Sequence, residues 1–140
     1  MTNPFADQKQ FMEAADQTVS NLANPQQAEL YMTLIEEEFD EVQAADSLEN
    51  LVKELTDLLV VTIGALYSLG VEPDKVWQEV HRSNMSKLVD GKLIKREDGK
   101  VLKPDSYVPA DMSLFTVNVN WALVDSVRLK MDAEANANSR

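Results

Sequence analysis

The chain has 140 residues, 44% hydrophobic and 26% charged, with a formal net charge of −11 and no cysteine. That length suits one domain with a sizeable core. The composition excludes disulfides, thiolate metal sites and a cysteine nucleophile, and the charge argues against a nucleic-acid surface. A cysteine-free chain is compatible with a reducing cytoplasm, the expected location. The N-terminal "MTNPFADQKQ" has neither a basic start nor an apolar run, so no signal peptide is expected. The longest apolar run, residues 58–69, falls well short of the roughly 20 residues a membrane span needs.

Residues 5–22 carry apolar side chains at 11, 12, 15, 19 and 22, a helical stripe that also holds Gln8. "ANPQQ" breaks it at Pro25, and a second helix is expected over 26–45. Ser47 reads as the N-cap of a third helix that Gly70 ends, and Pro73 opens a fourth, "PDKVWQEVHRSNMSK". In "KLIKREDGKVLKP", Asp98-Gly99 between two short segments signals a hairpin. Residues 113–140 begin with alternating Phe115, Val117, Val119 and Trp121, which would be an aggregation hazard if left exposed. This extension is therefore expected to pack on the domain (1–112) or on a neighbouring subunit. The fold class expected is mainly α, a four-helix bundle with a small C-terminal β-hairpin.

Charge is unevenly spread. Residues 36–57 hold nine acids and one base, Lys53, a net −8; residues 81–103 hold seven Lys/Arg against three acids, a net +4. At about 100° per residue, Glu38 falls inside the apolar stripe of helix two and Glu41 on its flank. Glu37 is marginal, and Glu36 and Asp40 face away. In helix three, Leu51, Leu55, Leu58, Leu59, Thr62, Leu66 and Leu69 form the expected stripe. Glu54 and Asp57 lie on the side of Val61 and Ala65, where the helix enters the core. An ionised carboxylate in such a place is costly without compensation. Two i/i+3 acid pairs on an antiparallel helix pair can converge, and such a cluster must protonate or bind hard cations. An oxygen-only donor set suits Mg²⁺, with Mn²⁺ as a substitute. On helix four, Asn84 and Lys87 fall in the stripe of Val76, Val80, Trp77 and Leu88, which makes sense if they meet phosphate. His81 lies at the stripe's edge.

These residues carry a resemblance. "EEFDE" at 37–41 and "ELTD" at 54–57, twelve residues apart, are similar to the EExxE…ExxD signature of the MazG-like, all-α nucleoside triphosphate pyrophosphohydrolases. "VHRSNMSKL" (80–88), "REDGKVLKP" (96–104) and "YVPADM" (107–112) resemble their compact single-domain branch. The resemblance implies Mg²⁺-dependent hydrolysis of a nucleoside or deoxynucleoside triphosphate between the α and β phosphates. It implies Glu38, Glu41, Glu54 and Asp57 as metal ligands, with Glu41 also the choice to orient or deprotonate the attacking water. Asn84, Lys87, His81 and Arg96 become candidates for substrate contact, Phe11 and Gln8 for the nucleobase, and a homodimer or homotetramer the expected assembly. Two alternatives stand beside it: a phosphoribosyl-ATP or other specialised nucleotide pyrophosphohydrolase on the same scaffold, and a non-catalytic acidic helical regulator whose acids point outward.

Overall fold

The computed structural model describes residues 2–116 together with Ala133 and Ala137. It is mainly helical, with four helices and a small two-stranded sheet, in keeping with an all-α pyrophosphohydrolase fold. None of its described helices is by itself long and apolar enough to cross a membrane. The expected packing of 113–140 concerns residues that lie almost wholly outside the described ones.

Two compact units are present, one holding residues up to Pro73 and the other Asp74–Phe115. In the first, α1 (Pro4–Ala14), α2 (Pro25–Ala44) and α3 (Leu48–Ser68) are each started by a side-chain cap. Asn3 Oδ1 accepts from Phe5 N–H, Asn24 Oδ1 from Gln27 N–H, and Ser47 Oγ from Asn50 N–H, each satisfying a donor the first turn leaves orphaned. Proline at the first helical position of α1 and α2 gives up an N–H that had no partner there. Helix one is shorter than its stripe suggests. Asp16 turns left-handed (φ 56°) and Gln17 N–H closes on Met12 O, so residues 15–22 leave the helix.

That departing segment is tied down by a polar clamp. Gln27 Oε1 accepts from Thr18 N–H, and Gln27 Nε2 donates to Thr18 O and to Ser68 Oγ. Asn24 N–H donates to Ser68 O, so the start of α2 is joined to the end of α3. The core comprises Met12, Tyr31, Val61, Ile63, Ala65 and Tyr67, with Phe5, Val19, Met32, Leu34, Ile35 and Leu58 packed against it. Each large apolar side chain fully buried there contributes about 1.5–3 kcal/mol. Gly64 lets α2 come close: a Cβ at this position would overlap the Tyr31 ring.

Helix three turns the expected face inward only in part: Leu58 packs against the core and Leu51, Leu66 and Leu69 are half-buried, but Leu55, Leu59 and Thr62 are exposed. Its buried residues are Glu54, Val61, Ile63, Gly64, Ala65, Tyr67 and Ser68, while Leu48, Val52, Leu55 and Leu59 are exposed. The reason is shape. Small residues admit the Tyr31 ring and the polar clamp, which a leucine row could not.

In the second unit, α4 (Pro73–Met85) leads into β1 (Leu88–Val89) and β2 (Lys92–Leu93), paired antiparallel. Asp90 and Gly91, both with positive φ, form the two-residue turn between them. The expected Asp98-Gly99 turn is also present, but it closes a single bridge, Lys95 to Val101, rather than the named sheet. Along α4 the expected stripe is corrected too. Trp77, Val80 and Asn84 are exposed, whereas Ser83 is buried and Glu79 half-buried, because the segment around Val108 packs on that side.

Candidate metal centre

Glu38 and Glu41 leave α2 one turn apart, and Glu54 and Asp57 leave α3 in the same way. The antiparallel approach of the two helices, set by Gly64 and Tyr31, brings three of these carboxylates together. One oxygen from each of Glu38, Glu41 and Glu54 lies within 4.8 Å of the others. Glu54 is buried, Glu38 half-buried and Glu41 exposed. Of the other acids on α2, Glu37 and Asp40 are exposed, while Glu36 is half-buried rather than fully turned to water.

The electrostatics are those of anions crowded without enough cation. Burial first, and then the charges of Asp57 and Glu54, push the Glu38 carboxyl above the usual carboxylate range. Glu41 is raised as well, by its hydrogen-bond contact with Glu54 and by the charges of Glu54 and Glu38. Glu38 Oε2 is buried and finds no hydrogen-bond partner among the described residues. An orphaned buried oxygen beside two further carboxylates fits a hard divalent cation, since the donor set is oxygen throughout.

Asp57 stays outside the triplet. Its Oδ2 accepts from Lys53 Nζ at 2.7 Å, and the same ammonium donates to both Glu54 oxygens at 3.2 Å. These bonds raise the Lys53 pKa further above the ordinary lysine range, so it is a fixed cation. Sequence reasoning missed Lys53 as part of the site. The signal was available in its i,i+4 spacing to Asp57.

Asp57 also lines a cavity of about 520 Å³ between α1 and α3, together with Gln8, Phe11, Thr56, Leu59 and Ile63. Gln8, read from the sequence as a base contact on helix one, is buried, and its side chain also reaches the Tyr31 hydroxyl. Phe11 is 68% exposed, so its ring is a wall of the cavity and not a core side chain.

The remaining candidates belong to the second unit and form their own cluster. Lys87 Nζ donates to Asn84 Oδ1 at 3.1 Å and lies 5.6 Å from the centre of the Tyr107 ring, with Lys103 Nζ at 5.2 Å from the same ring. His81 is exposed. Arg96 is paired with Asp98 across the tight turn, which gives it a structural partner inside the hairpin. Glu79 accepts from Arg82 and from the Asp111 N–H.

A family model described as phosphoribosyl-ATP pyrophosphohydrolase matches residues 7–84, more than half of the chain. The matched stretch contains all four acids, Lys53, Gln8 and Phe11, and ends at Asn84. No curated protein matches the chain.

Proposed function

The chain belongs to the phosphoribosyl-ATP pyrophosphohydrolase family, and from that premise we propose that it cleaves the α–β phosphoanhydride bond of phosphoribosyl-ATP, releasing pyrophosphate. The family supports an enzyme that hydrolyses a nucleotide; the choice of nucleotide is the proposed part. The observation that carries the reading is the triplet Glu38, Glu41 and Glu54 with the orphaned Glu38 Oε2, inside the matched stretch.

Glu38, Glu41 and Glu54 would hold Mg²⁺, with Asp57 joining once Lys53 releases it. The ion supplies neutralisation of phosphate oxygens, stabilisation of the pyrophosphate leaving group and a more acidic water. Glu41 is the solvent-exposed member of the triplet, so it is the carboxylate with access to the attacking water and the one that takes its proton. The cavity beside Asp57 would take the base, with Phe11 stacking and Gln8 offering its amide. A homodimer or homotetramer is the proposed working assembly.

A second reading is a general NTP or dNTP pyrophosphohydrolase. It is favoured by the segments that resemble the compact branch of the superfamily, most of which lie beyond residue 84 and so outside the family match.

The test is pyrophosphate release with Mg²⁺ from phosphoribosyl-ATP and from a panel of NTPs and dNTPs. Release from phosphoribosyl-ATP, reduced at least ~100-fold by Glu41→Ala, is expected. Release only from simple triphosphates replaces the first reading by the second. Release from none, or full activity in Glu41→Ala, sinks both.

A further inference from the structure

Lys53 lies outside the acidic signature, yet its ammonium sits on the α3 half of the cluster. Nζ is 2.7 Å from Asp57 Oδ2 and 3.2 Å from each Glu54 oxygen. The Asp57 contact is an ordinary i,i+4 pair. The Glu54 contact is not, because adjacent side chains leave a helix about 100° apart and do not face one another. A lysine that curls back onto its neighbour's carboxylate is drawn there by the other acids. Glu38 and Glu41 stand within 4.8 Å of Glu54, and neither forms an ion pair of its own among the described residues.

A divalent cation needs the same Glu54 and Asp57 oxygens, at about 2.0–2.6 Å. An ammonium held on those oxygens would then face a double positive charge almost in contact, so the two cannot share them. The Lys53 side chain is 62% exposed and can swing into water. We infer that Lys53 is the resident counter-cation of the site: it occupies Glu54 and Asp57 in the metal-free protein and leaves both when a divalent ion binds. This rests on the metal-site reading above and makes Lys53 a positioning residue. It lowers the affinity for free ion and keeps the α3 carboxylates paired until the ion arrives.

The test is Mn²⁺ binding to the full chain without nucleotide, followed by electron paramagnetic resonance. Lys53→Met should tighten the Kd roughly tenfold, while Lys53→Arg stays at or above the wild-type Kd. Lys9→Met, which removes an exposed lysine on α1 with the same charge change, should move it less than twofold. A Lys53→Met Kd that is unchanged or weaker overturns the inference, as does an equal shift in Lys9→Met; the metal site itself would survive either result. If wild type and Lys53→Met both fail to take up Mn²⁺, the metal-site reading falls and the inference with it. Should Lys53→Met not fold, ¹³C-lysine spectra of the wild type decide. The Lys53 ε-carbon signal should move to the position of a free exposed lysine as Mg²⁺ is added, and a signal that stays put overturns the inference.

Discussion

At Glu38 the conflict between fold and site is concentrated in one side chain. Its Oε2 is buried without a partner among the described residues, and Asp57 and Glu54 press on it electrostatically. Glu38→Gln removes the charge and supplies an N–H₂ that the neighbouring carboxylates can accept. The metal-free variant should be more stable by about 1 kcal/mol, a few degrees in Tm, while Mg²⁺ should no longer raise its Tm. Thermal melts with and without Mg²⁺ check both halves; a destabilised Glu38→Gln would mean that the charge is not strained. Glu79 shows the opposite electrostatics. The Arg82 guanidinium, then the Asp111 N–H, hold its carboxyl down to about 2 from the ordinary 4.5. Between those values the fold keeps Glu79 ionised where an unfolded chain would bind a proton. Its contribution is therefore complete above 4.5 and lost as pH falls towards 2. A ¹³C titration of the Glu79 carboxyl should show a midpoint near 2, moving up towards 4.5 in Arg82→Gln.

The position of the site depends on how closely α2 and α3 approach, and one contact sets that distance. Gly64 faces the Tyr31 ring, and the ring cannot retreat freely because its hydroxyl donates to Gln17 Oε1 at 2.6 Å. Gly64→Ala should cost about 1–3 kcal/mol through overpacking, despite the better helix propensity of alanine. It should also weaken divalent-ion binding, because Glu38 and Glu41 move away from Glu54; chemical denaturation and Mn²⁺ titration measure the two effects. Much of this level was legible in the sequence. Ser47 and Gly70 bracket α3, Pro25 and Pro73 open α2 and α4, and the acids that converge are among those placed inward by periodicity. The rest was not legible because apolarity alone does not say which face buries where shape decides. Leu55 and Leu59 fall in the expected core stripe of α3 yet are exposed, because the side that buries fully is the one whose Gly64 admits the Tyr31 ring. Helix one looked longer because Val19 is indeed packed, though from a non-helical segment held by Gln27. Lys53 is legible as an i,i+4 partner of Asp57, but its contact with Glu54 departs from helical neighbour rules and is not. Asn84 shows the limit of a wheel when a later segment chooses the other face of its helix.

Among the described residues, one apolar row of α3 lies outside the hydrophobic core. Leu48, Val52, Leu55 and Leu59 are 72%, 57%, 50% and 49% exposed, and their 4-3-4 spacing is that of a coiled-coil seam. Single exposed leucines are ordinary, but a straight seam of four is not. A seam of this kind is matched by a helix with the same repeat, and α3 of a second copy has it by construction; a two-fold pairing needs only one self-complementary patch. Wild-type protein is therefore expected to sediment as a dimer or a higher even assembly. Val52→Gln with Leu55→Gln, which adds no charge beside the metal ligands, should give a folded monomer, because these exposed side chains are not part of the hydrophobic core. A wild type that sediments as a monomer at tens of micromolar rejects the pairing. The consequence for activity follows from Leu59, which belongs both to the seam and to the cavity wall. With the seam paired to a second copy, loss of that copy would open the wall at Leu59 without touching Glu38, Glu41 or Glu54. The monomeric variant should bind Mn²⁺ with the wild-type Kd yet show a raised KM for its nucleotide. Equal losses in both would place the seam's role in the fold and not in the substrate cavity.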